Sequence, residues 1–116
     1  MDNQQAFTQI KNHLLTQNQR AEIDGTCQYR METDNHVLTC AVGCLIPDEL
    51  YREDMESTTI KNLVSYYTKL GEYFQGIDLD LLHDLQMIHD QHDIDTWPLL
   101  LKDVATKWEL DYDAVQ

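Results

Sequence analysis

Apolar positions recur at helical spacing in four stretches of the chain and alternate in one. Phe7, Ile10, Leu14 and Leu15 fall on one stripe between residues 3 and 20, with Gln, Asn and Lys opposite, which predicts an amphipathic helix. Asp24-Gly25 breaks the pattern. Residues 26–31 and 36–42 read as strands, and Glu32-Thr33-Asp34-Asn35 can turn between them, so a hairpin is expected. A two-stranded hairpin is marginal alone and must pack on helices.

Pro47-Asp48-Glu49 then opens a helical turn, since proline suits a first helical position and acids suit the positive end of the helix dipole. Proline also pushes Ile46 towards extended geometry, so the preceding strand must end there. Ile60, Leu63, Val64, Tyr67 and Leu70 predict a second helix over Ser57–Leu70, capped by Ser57 or Thr58 and stopped by Gly71. Leu81, Leu82, Leu85 and Ile88 predict a third, capped by Asp78 or Asp80 and running to about Gln91. Trp97, Leu100, Leu101, Val104 and Trp108 predict a fourth, from Trp97 to about Leu110, with Thr96 as cap and Pro98 in the first turn. The expected architecture is mainly α with a small β-hairpin (α+β), about four helices around one core in a single domain spanning 1–116. Leu14, Leu63, Leu85 and Val104, each central to its stripe, should be buried.

Charge changes the picture more than composition does. The chain holds 21 acidic and 8 basic residues, a formal net charge of −13. Phosphate binding needs clustered Lys or Arg, and here the basic residues are scattered singly, so direct nucleic-acid binding is disfavoured. An anionic membrane would repel the chain, and no apolar run is long enough to span one. A partner with a basic surface is favoured. From Asp78 onward ten acids stand against two bases, a net of −8. Asp78, Asp80, Asp84, Asp90, Asp95, Asp103 and Asp111 are the candidate partner-binding residues. A solvated face that only confers solubility is the competing explanation.

The chemistry-bearing residues do not form a recognised catalytic pattern. Cys27, Cys40 and Cys44, with His36, could supply four zinc ligands, but only Cys40 and Cys44 have knuckle-like spacing. Alternation along 38–44 fits Cys40 as a small buried hydrophobe. His83, His89 and His92, with Asp84, Asp90 and Asp93, could hold a divalent metal, yet they lack a helical metal motif. The apolar flank Leu45-Ile46 would raise a thiol pKa, which argues against a cysteine nucleophile. The glycines are isolated, which excludes a phosphate-cradling loop. The expectation is therefore no catalytic residue, no metal, no cofactor and no disulfide, with reduced thiols in a cytosolic protein that has no signal peptide. Tyr66-Tyr67 and Tyr73-Phe74 fit a core with an amphipathic rim, or an exposed aromatic patch of hot-spot composition.

Several segments together carry a likeness. His13-Leu-Leu-Thr-Gln17, Cys27-Gln-Tyr-Arg30, Cys40-Ala-Val-Gly-Cys-Leu-Ile-Pro-Asp-Glu49 with Tyr51 and Glu56, Leu85-Gln-Met-Ile-His-Asp90, and Trp97 with Val104-Ala105 resemble a family of small phage and prophage proteins. The resemblance runs in order over nearly the whole chain, and Cys40–Glu49 is its most specific part. Members of that family are mostly of uncharacterised function, so it implies a phage-related setting in a bacterial cytoplasm and carries over no activity. The chain departs from the pattern at two turns. Thr33-Asp34-Asn35-His36 stands where a glycine-containing turn is expected, and Ser57 stands where glycine is expected after Glu56.

The resulting functional expectation is a non-enzymatic, acidic interaction protein of phage type. It would bind and modulate or inhibit a host protein, such as one that handles nucleic acid or belongs to a defence system. The alternative is a small-ligand or metal binder using Cys27/Cys40/Cys44 or the His83–His92 segment. A homo-oligomer is compatible with either.

Overall fold

The computed structural model describes residues 1–114. Helix α1 covers Asn3–Gln17, and four short strands follow: β1 (Glu22–Ile23), β2 (Thr26–Cys27), β3 (Arg30–Glu32) and β4 (Val37–Thr39). Helices α2 (Ile60–Tyr66), α3 (Thr68–Tyr73), α4 (Leu79–Gln91) and α5 (Trp97–Lys107) complete the fold, with single 3-10 turns at Gly43–Leu45, Glu53–Met55 and Ile94–Thr96. The architecture is α+β, helices with small antiparallel hairpins, as the periodicity predicts.

The apolar stripes converge on one core. Phe7, Ile10 and Leu14 of α1, Leu63 of α2, Leu81, Leu82 and Leu85 of α4, and Trp97 and Leu101 of α5 are wholly buried together, with Val104 at the core's edge. Leu15 is the exception on the first stripe and faces solvent. α1 packs on α4 and α5, α4 on α5 and α2, and α3 on α2.

Local chemistry sets the helix ends. Asp2 accepts from Gln5 N while the Gln5 side chain accepts from Asp2 N, a reciprocal capping box. α1 stops at Gln17, short of residue 20, because Asn18 turns left-handed at φ 51°. Asp78 caps α4 by accepting from Asp80 N, as expected. Thr96 precedes α5 without capping it: its hydroxyl donates to Asp93 O instead.

The second predicted helix is two. Thr59, rather than Ser57 or Thr58, caps α2 by accepting from Asn62 N. The chain bends at Tyr67 (φ −104°, ψ 89°), and α3 runs through Gly71 instead of stopping there. The glycine serves close approach: a Cβ at residue 71 would lie 2.5 Å from Val64 O of the preceding helix.

The predicted hairpin is also divided. Residues 26–31 feed two ladders, β2 pairing back onto β1 and β3 pairing forward with β4 in the register Arg30–Thr39, Met31–Leu38 and Glu32–Val37. β4 ends at Thr39, so Cys40–Ile46 is not strand: these residues fold as a buried turn around Gly43. Leu38, Cys40 and Val42 are all buried, but so are Ala41 between them and Gly43 after them, and alternation is not the cause. Ile46 is buried and extended, and Leu50 N and Tyr51 N both donate to Pro47 O, as the proline predicts.

Candidate functional site

The turn Cys40–Ile46 is the inner wall of the molecule's polar half. A Cβ at Gly43 would sit 1.9 Å from Tyr29 O, so only glycine admits the two backbones at this distance. Glu56 then ties Tyr29 and Arg30 to Tyr51. Its carboxylate accepts from Tyr29 N (2.7 Å), Arg30 N (3.1 Å) and Tyr51 Oη (2.6 Å). The Arg30 guanidinium lies 4.6 Å over the Tyr51 ring and donates to Asp48 at 2.7 Å, while the Tyr29 hydroxyl donates to Thr58 O. Gly43 and Asp48 of the most specific sequence block thus join a clamp with Tyr29, Arg30, Tyr51 and Glu56, in which one buried nitrogen, Arg30 Nε, has no hydrogen-bond partner among the described residues. Ser57, directly after Glu56, adopts φ 66°, a left-handed conformation that favours glycine.

A second network lies on the other side of the turn. Ala21 N donates to His89 Nε2 at 3.0 Å, and His89 Nδ1 faces Asp90 Oδ1 at 2.7 Å. A backbone N–H can only donate, so Nε2 must accept and the ring proton must sit on Nδ1, donating to Asp90. Gln86 donates to the same carboxylate oxygen at 2.8 Å and accepts from Val42 N at 2.9 Å. Cys27 Sγ lies within 4.8 Å of the ligand atoms of His89 and Asp90. His89 is fully buried and stacks on Trp97, ring centroids 5.8 Å apart.

Among the described residues, Cys27, His89 and Asp90 are the one group of three potential ligand atoms lying within 4.8 Å of one another. Sequence spacing could not have found it, because it joins one member of the cysteine set to two of the histidine segment, 62 positions away in sequence. Cys40, Cys44 and His36 do not join it, and His83 and His92 face solvent. The ligand atoms are already engaged. For His89 Nδ1 to bind a metal its proton would have to move to Nε2, which would then point a second N–H at Ala21 N–H. Burial, reinforced by Asp90, pushes the Cys27 thiol up to about 12, away from the thiolate a metal or an electrophile needs. Burial likewise pushes Cys44 up to about 12 and raises Cys40. All three cysteines are free thiols. Cys40 Sγ accepts from Gly43 N, and Cys44 Sγ donates to Ala41 O.

The seven candidate acids divide into two groups. Asp78, Asp80, Asp95, Asp103 and Asp111 are exposed, Asp78 as the α4 cap and Asp111 accepting from Asp113 N. Asp84 and Asp90 turn inward. Asp84 Oδ2 accepts from Lys107 Nζ at 2.8 Å and Trp108 Nε1 at 2.9 Å. Burial works to raise both carboxyls, yet these donors at Asp84, and His89, Cys27 and Gln86 at Asp90, hold them below the ordinary value. The basic residues are mostly occupied too. Lys11 donates to Tyr112 O, Arg20 to His89 O and His92 O, Arg30 to Asp48 and Arg52 to Asp54.

The α2–α3 corner differs in kind. Tyr66 is 82% exposed and Tyr73 40%. Tyr66 and Tyr67, ring centroids 5.6 Å apart, line two adjoining clefts of about 650 and 450 Å3, the larger walled also by Tyr51, Arg52 and Lys69. Among the described residues, no helix is long and apolar enough to cross a membrane. No family model, curated protein or solved structure matches the chain.

Proposed function

We propose that the protein is a non-enzymatic, acidic binding protein of phage type that docks on a basic surface of a host protein and modulates or inhibits it. One observation carries the reading. Asp80, Asp95 and Asp103 are exposed and, among the described residues, make no side-chain hydrogen bond or ion pair, while most of the basic residues are tied to internal partners. Unneutralised charge of one sign steers a partner of the opposite sign and gives little to folding. The resemblance to phage proteins supplies the bacterial setting, and a partner that handles nucleic acid would offer a basic surface of the required kind.

The raised thiols and the engaged His89 and Asp90 support a binding rather than a catalytic role. They also make metal or small-ligand binding through Cys27 the weaker reading, because the polar groups there already satisfy one another. The test is capture from bacterial lysate at low and high salt, using the unmodified protein and a variant carrying Asp80→Lys, Asp95→Lys and Asp103→Lys. A partner retained at low salt, released at high salt and lost by the folded variant is the expected result. Undiminished capture by the variant at low salt would overturn the reading.

A further inference from the structure

Lys11 is the one buried lysine or arginine among the described residues, 9% exposed in a chain with 21 acids to choose from. No carboxylate pairs with it among those residues. Its ammonium is covered instead by Tyr112: Lys11 Nζ donates to Tyr112 O and lies 4.6 Å over the Tyr112 ring. Lys102 Nζ of α5 lies 5.4 Å from the same ring, and Phe7 of α1 packs on it with centroids 6.3 Å apart. Gln4 of α1 holds the residue before it by both ends of one amide. Gln4 Nε2 donates to Asp111 O at 2.9 Å, and Asp111 N donates to Gln4 Oε1 at 2.8 Å. Residues 109–113 therefore lie as a strap across the seam between α1 and α5.

The strap is lightly held and strained where it begins. Glu109, Asp111 and Asp113 are exposed, and Leu110 and Tyr112 only half-buried. Past the end of α5, Glu109 N donates to Thr106 O and Leu110 N to Ala105 O, which is a Schellman turn. Glu109 takes φ 56° there, the left-handed position that favours glycine. Opening the strap relieves Glu109 and returns the Lys11 ammonium to water, at the loss of the contacts around Tyr112. Opposed contributions of this kind give a segment that opens locally, below the free energy of global unfolding.

We propose that residues 109–113 are a strap that opens and closes over Lys11 while the core stays folded, hinged at Glu109 and latched by Tyr112. Closed, it hides one cation, holds its ring against a second and sets three exposed acids over the seam. Open, it uncovers Lys11 and frees Lys102 on the helix that carries Asp103. The closed form is then the one that docks on a basic surface. That consequence rests on the function proposed above, whereas the strap itself does not.

Acetylation of the folded, full-length protein by an N-hydroxysuccinimide ester, read lysine by lysine by mass spectrometry, tests the strap without any partner. Exposed Lys61 is the internal reference. Lys11 should react about tenfold or more slowly than Lys61. Its rate should barely change in low urea, because local opening exposes little surface. Tyr112→Ala, folded by circular dichroism, should raise the Lys11 rate about tenfold and leave Lys61 unchanged. Glu109→Gly removes strain found only in the closed form, so it should slow Lys11 further. Four results would each overturn the proposal: Lys11 as reactive as Lys61 in the unmodified protein, a Lys11 rate that rises with urea in step with global unfolding, a rate unmoved by Tyr112→Ala, or a faster rate in Glu109→Gly.

Discussion

The helical side and the polar side of this molecule are held together by different physics. α1, α4 and α5 meet through wholly buried apolar side chains: Phe7, Ile10, Leu14, Leu81, Leu85, Trp97 and Leu101. Residues 20–58 contain only two- and three-residue strands. They bury Tyr29, Ala41, Val42, Leu45, Ile46 and Met55 in the same core, but what sets their path is single side chains bonding distant backbone: Glu56 to Tyr29 N and Arg30 N, Gln86 to Val42 N, His89 to Ala21 N, and Gln17 to Thr39 N and O. Burial is non-directional, so the helical side should absorb changes of shape by small shifts. Hydrogen bonds are directional and costly to leave unmade, so the polar side should tolerate little.

Substitutions of decreasing effect can sharpen or break this comparison. Leu85→Ala empties the centre of the helical side and should cost about 2–5 kcal/mol in chemical denaturation. Gly43→Ala adds one methyl where Tyr29 O stands 1.9 Å from the new Cβ, and should cost about 3 kcal/mol. If Gly43→Ala were nearly neutral, the close approach would not define the polar side. Glu56→Gln keeps the shape but offers one acceptor oxygen to three donors, and should cost about 2 kcal/mol. Ser57→Gly should stabilise by about 1 kcal/mol, since it removes the left-handed strain at φ 66°.

The pH dependence should be the smallest effect near neutrality. Burial lowers the His13 pKa from its ordinary 6.5, so the folded state disfavours the imidazolium. Stability should be full above that value and begin to fall as pH drops below it. Asp84 and Asp90 are also lowered, from an ordinary 3.8, so their contribution is present above that value and lost in stronger acid. On the alkaline side, Cys27 and Cys44 are raised from 9.0 to about 12. Their contribution is complete below 9.0 and lost as pH rises towards 12. Thermal melts across this range check each limb. A Cys27→Ser variant with an unchanged alkaline limb would show that the thiol is not the group responsible.

What was legible follows from the same contrast. The stripes in α1, α4 and α5, the Asp78 cap and the corner at Ile46-Pro47 depend on residues near in sequence, and the structure has them as the spacing predicts. The break at Tyr67, the passage of α3 through Gly71 and the division of residues 26–31 between two ladders depend on groups the local pattern does not contain. At Gly71 the deciding atom is Val64 O, seven residues back, and it turns an expected stop into a crossing point.

The sequence by itself determined helices α1, α4 and α5, the acidic balance and the lack of a clustered basic surface, because periodicity and charge are properties of the chain before it folds. Only the tertiary structure decided which polar groups are spent inside and which remain outside. It brought Cys27 to His89 and Asp90, tied Asp84 to Lys107, and left Asp80, Asp95, Asp103 and Tyr66 in solvent. The reason is that hydrogen bonding and burial depend on distances between residues far apart in the chain, and those distances exist only once the core has closed.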